Sequence, residues 1–178
     1  LIFLIFEKTK SLGKIPLIHE ANGSLPANYL FFDADNDGDE DFVYTKVDFP
    51  TGQVLTGLKV VENVGGAFVY LPEKESEAAV LSFAGRVLPG DFNSDGLLDI
   101  YVGTFGNELI APDQLTAHDE IYINRGNLNF ERDIDVPFPN TWAHGSVVGD
   151  LNNDGVDDIF STGMVGQKTY QFLSDGSS

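Results

Sequence analysis

The stretch DFNSDGLLD at residues 91–99 decides the fold, because the chain contains it three times. DADNDGDED at 33–41 and DLNNDGVDD at 150–158 repeat its plan: oxygen-bearing side chains at positions 1, 3, 5 and 9, with glycine at position 6. The copies recur about every 60 residues, a period that belongs to arrays of one supersecondary unit. An apolar strand candidate precedes each copy: NYLFF (28–32), RVLPG (86–90) and SVVGD (146–150). Another follows each: DFVYT (41–45), DIYVG (99–103) and DIFST (158–162).

Working outward, KVVENVGGAFVYL (59–71) and EIYINRGNLNFER (120–132) read as hairpins, with Gly and Asn at the turn between alternating apolar flanks. TYQFLSDGSS (169–178) begins a further hairpin, and residues 2–20 take the place of a hairpin from a preceding unit, with LIFLIF as a strand. Only EKESEAAVL (73–81) leans towards helix, and it reads as a connector with one helical turn. The predicted organisation is residues 1–20 completing a preceding unit, then repeats at 21–79, 80–137 and 138–178. Units of four strands repeated head to tail make an all-β fold of β-propeller blades. Closed propellers have four to eight blades. Three therefore imply further blades, from the same longer chain or from a homo-oligomer.

Alternating oxygen ligands around a glycine bend suit calcium, which takes six to eight oxygens from a flexible loop. The expected ligands of the first loop are Asp33, Asp35, Asp37, the Asp39 carbonyl and Asp41. Those of the second are Asp91, Asn93, Asp95, the Leu97 carbonyl and Asp99. Those of the third are Asp150, Asn152, Asp154, the Val156 carbonyl and Asp158. An EF-hand requires Glu at position 12 and flanking helices. Here that position holds Tyr44, Val102 and Ser161, between strand-like flanks.

Composition supports this reading. The formal net charge of −18, from 28 acidic against 10 basic residues, excludes a phosphate-binding face and with it nucleic acid as a partner. Fourteen Phe and six Tyr among β-branched residues argue against disorder. Without cysteine there are no disulfides, thiolate zinc sites or thiol nucleophiles. The six-residue run LIFLIF is too short to insert in a membrane.

The GDFNSDGLLDIYVG and GDLNNDGVDDIFST segments, with the YINRGNLNF hairpin, resemble the FG-GAP and VCBS repeats of integrin-alpha-like β-propellers. That resemblance implies a calcium clamp between the first two strands of each blade. It also implies an extracellular module for binding or adhesion, recognising a glycan or an extracellular protein. The first repeat departs from the pattern in having Phe32 where the others have Gly90 and Gly149.

Aligned on the first loop Asp, Ala27, Gly85 and His144 share one offset, six residues upstream, and Arg86 follows Gly85. Arg86 and His144 are therefore candidates for a ligand face opposite the loops, overhung by the connections 46–58 and 103–119. Trp142 is a candidate stacking platform for a sugar. The competing readings are a polysaccharide lyase and a structural scaffold of a surface assembly. No nucleophile elbow, phosphate loop or HExxH signature supports an enzyme.

Overall fold

A computed structural model of the chain describes residues 25–48, 53–76, 83–105, 119–133, 143–163 and 169–175. These form three antiparallel sheets in chain order. The first contains β1 (Leu25–Phe32), β2 (Asp41–Asp48), β3 (Gln53–Val64) and β4 (Ala67–Tyr70). The second contains β5 (Phe83–Gly90), β6 (Asp99–Phe105), β7 (Glu120–Asn124) and β8 (Phe130–Asp133). The third contains β9 (Ala143–Gly149), β10 (Asp158–Gly163) and β11 (Thr169–Phe172). Each sheet is a meander, with every strand paired to its sequence neighbour.

The sheets stack through their faces. Val43, Leu58 and Val60 of the first sheet pack with Val87, Ile100, Val102 and Tyr122 of the second. From the other face of the second sheet, Tyr101, Ile121 and Ile123 pack with Ile159, Val148 and Phe172 of the third. Adjacent residues of a strand point to opposite faces, so a blade covered on both sides needs consecutive apolar residues rather than alternation. This accounts for the runs FVY and IYV. The strand β5 lies against both β1 and β9, which places the first strand of each sheet innermost. In contrast, β4 is largely exposed at the outer edge.

The hairpins fall where the sequence predicted them. Gly65 and Gly66, both at positive φ (61° and 93°), form the two-residue link between β3 and β4. That handedness matches the twist of the flanking strands, and glycine adopts it without a Cβ clash. A 3-10 turn at Pro72–Lys74 overlaps the start of the 73–81 connector, of which residues 77–81 lie outside the described residues.

Residues 46–58, expected as a loop-like connection, are mostly strand, because β2 continues to Asp48 and β3 starts at Gln53. A register shift between Thr45 and Lys46 lets that pairing continue beyond the core. The predicted strand at 1–6, the hairpin at 2–20 and Trp142 lie outside the described residues.

Candidate metal centres

Each repeated loop joins the first strand of a sheet to the second, and all three are built by the same bonds. The position-1 carboxylate folds the loop over itself. Asp33 Oδ1 accepts from the Asp37 N–H (3.0 Å) and its Oδ2 from the Gly38 N–H (2.9 Å). Asp91 does the same for Asp95 (3.2 Å) and Gly96 (3.0 Å), and Asp150 for Asp154 (3.1 Å) and Gly155 (3.0 Å). Side chains at positions 3 and 5 each accept from the backbone two residues on. Such local bonds are the reason Asp and Asn favour turns.

The bend needs left-handed backbone at two places. Gly38, Gly96 and Gly155 have φ of 95°, 84° and 92°. Position 4 is also left-handed, at Asn36, Ser94 and Asn153 (φ 62°, 58° and 62°), a role the sequence reading did not assign. The recurrence of Asn at position 4 was the available signal, since Asn tolerates this conformation better than most residues.

In the first loop, carboxylate oxygens of Asp33, Asp35 and Asp37 lie within 4.8 Å of one another, an arrangement able to hold a metal ion. In the other loops the position-3 residue is an amide. Asn93 donates to Asp95 Oδ2 (3.0 Å) and Asn152 to Asp154 Oδ2 (2.8 Å). The donor set is oxygen throughout, which fits a hard cation such as calcium.

The carboxylates at position 9 have a further task. Asp99 is fully buried; its Oδ2 accepts from the Phe92 N–H (3.0 Å) and its Oδ1 from the Asn124 N–H (2.8 Å). Asp41 holds Ala34 and Asn63 in the same way, and Asp158 holds Leu151 and Ser174. Each thus ties the start of its loop to the end of the third strand or, at Ser174, to the residues just after it. Burial lifts both Asp41 and Asp99 to a pKa of about 6, against the pull of these N–H donors, and nearby loop carboxylates add to the rise. Asp39 uses its own carboxylate elsewhere, accepting from the Gly65 N–H in the β3–β4 turn (3.1 Å).

The loops also reach between sheets. Asn124 donates through Nδ2 to the Ala34 carbonyl of the first loop (2.7 Å) and to Leu98 O of its own (3.2 Å). Ser174 Oγ donates to the Phe92 carbonyl of the second loop. Position 2 of each of these two loops therefore gives its N–H to its own sheet's position-9 Asp and its carbonyl to the next sheet. Asp157 adds a second link, accepting from the Asp91 N–H (3.0 Å) while its own N–H reaches Asp91 O (3.2 Å). Between the second and third sheets, buried Asp119 accepts from Tyr101 Oη (2.6 Å), the Thr104 N–H (2.8 Å) and Ser161 Oγ (3.4 Å). Burial and the Asp119 charge hold the Tyr101 phenol well above its ordinary range.

The aligned positions Ala27, Gly85 and His144 turn out to share a structural role. Register slips between Pro26 and Asn28, between Ala84 and Arg86, and at Thr162/Gly163 opposite His144, so each is the extra residue of a bulge. Bulges re-aim a strand, and recur in repeats as built features. Arg86 is exposed beside its bulge. Of His144 only the backbone is described.

Repeated meanders with abutting first strands and stacked faces define a β-propeller-type module. The FG-GAP-like repeat matches the chain twice, over residues 33–102 and 91–161, so the chain belongs to the FG-GAP-like repeat family. Against curated proteins the chain finds no match.

Proposed function

We propose that this protein is a calcium-stabilised propeller module that works outside the cell, binding a glycan or an extracellular protein. The observation that carries the calcium reading is the threefold loop with side-chain oxygens at positions 1, 3 and 5 around a left-handed glycine. Three carboxylates within 4.8 Å repel one another, and a divalent cation offsets that repulsion. The proposed ligands are the side chains at positions 1, 3 and 5 with the carbonyls of Asp39, Leu97 and Val156. The position-9 aspartates complete each site through lone pairs that remain beside their backbone bonds. The first loop, with a third carboxylate where the others carry Asn, binds most tightly.

Calorimetric titration of chelator-treated protein tests this reading. The expected result is three calcium ions per chain and a higher Tm, each site adding about 2.7 kcal/mol at a hundredfold excess over its Kd. Asp95→Ala removes one ion, whereas Glu73→Ala, on the exposed turn after β4, leaves three. A chain that takes up no calcium, and melts identically with and without chelator, overturns the proposal. For the binding role, the proposed face holds exposed Arg86 and the bulge at His144, with Trp142 two residues before His144 in sequence. A glycan array and a pull-down with extracellular proteins should lose signal on Arg86→Ala or Trp142→Ala while the Tm holds.

A further inference from the structure

The two seams between sheets differ at four equivalent positions, apolar in the first and polar in the second. In the first seam, Val43 and Leu58 of the first sheet pack with Val87 and Val102 of the second. The repeat fixes their counterparts. Tyr101 follows its position-9 Asp by two residues, as Val43 does, and Asp119 precedes Asn124 by five, as Leu58 precedes Asn63. Ser146 and Ser161 pair across β9 and β10 as Val87 and Val102 pair across β5 and β6. Tyr101, Asp119 and Ser161 are buried, and Ser146 is half-buried. Tyr101 Oη, 2.6 Å from Asp119 Oδ2, lies 3.2 Å from both serine hydroxyls, which are 3.2 Å from each other. Holding two sheets together does not require these groups, because the first seam does it with valine and leucine. Buried polar sets are often no more stabilising than well-packed apolar residues of similar volume.

We infer that the quartet selects neighbours: the face of the second sheet that carries Tyr101 and Asp119 admits the third sheet and rejects sheets that present valine there. The remaining polar links across the seams cannot make that choice. Asn124, Ser174 and Asp157 all bond main-chain groups of the adjacent loop, which every blade offers. Side chains at the four positions can. Set against Val43 and Leu58 of another copy, Ser146 and Ser161 lose their hydroxyl and carboxylate partners. Set against Val87 and Val102 of another copy, Tyr101 and Asp119 lose water and gain no donor in exchange. A buried polar group left unpaired is costly, so both wrong pairings are penalised while the correct one is satisfied. Repeat proteins characteristically misassemble by exchanging units between copies, and this quartet opposes that exchange. The inference stands independently of calcium.

Refolding of the full chain from urea tests it. Ser146→Val with Ser161→Val gives the third sheet the valine pair of the second and leaves the Tyr101–Asp119 bond in place. This variant is expected to yield about tenfold more oligomer than the unchanged chain, read by size exclusion with light scattering. Cross-linking after refolding an isotope-labelled copy with an unlabelled one should join the first sheet of one copy to the third sheet of the other. Gly90→Ala is the reference, because it strains the same seam without altering its polarity. Ser146→Ala with Ser161→Ala replaces the valine pair if the larger side chains prevent folding. Oligomer no more abundant than from Gly90→Ala overturns the inference, since weakening of the seam would then suffice. Oligomer that lacks cross-links between first and third sheets overturns it equally.

Discussion

At the scale of single residues, the carboxylates that close each loop matter as much for their backbone bonds as for their charge. Asp99→Ala leaves the Phe92 and Asn124 N–H groups buried without acceptors. Each such loss costs about 1–3 kcal/mol, so urea unfolding in calcium-free buffer should show a deficit of roughly 2–6 kcal/mol. Tyr101→Phe removes the shortest bond to buried Asp119 while keeping the ring's volume. A loss of about 1–2 kcal/mol is expected in the same assay. The sequence made the residue types of the loops legible, because their spacing is local. It could not disclose the partners of Asp99, since the Asn124 N–H arrives from the far end of β7. The Asn before each hairpin glycine, Asn63 and Asn124, was visible as turn chemistry alone.

At the scale of elements, strands and hairpins were readable because every unit alternates short apolar runs with Gly, Asn and Asp. The reach of β2 and β3 was not. Their extension rests on a register shift at Thr45, and such irregularities leave no periodic trace in one sequence. The alignment that grouped Ala27, Gly85 and His144 found the shared position but could not identify it as a bulge. Two glycines separate backbone demand from packing demand. Gly96→Ala adds a Cβ into open space at φ 84°, so only conformational strain of about 1 kcal/mol is expected. Gly90→Ala drives a Cβ to 2.6 Å from Val148 Cγ1 and 2.9 Å from the Phe92 ring, at the seam between second and third sheets. Overpacking of that kind costs about 1–3 kcal/mol. Thermal melts of the two variants should rank Gly90→Ala as the more damaging, and the reverse order would show that the seam relaxes.

At the scale of the whole molecule, stability resides in the seams. Repeat proteins are held by each unit's own stability plus the interface with its neighbour. Here one buried amide, Asn124, spans the first seam. Asn124→Asp sets a carboxylate against the Ala34 and Leu98 carbonyls and should cost about 3 kcal/mol or more. Native-state hydrogen exchange locates the loss. Amides of the first sheet should exchange faster along with those of the second, and acceleration confined to the second would show that the seam carries no coupling. The borrowed donor also has a consequence for biosynthesis. A ribosome releases the chain from its N-terminus, and domains begin to fold as they emerge. The Ala34 carbonyl then waits for Asn124, and the Phe92 carbonyl for Ser174, so the first and second blades are each finished by the one that follows. Completion advances one blade behind translation, and the newest blade is always the one most open to chaperone capture or to pairing with the wrong neighbour.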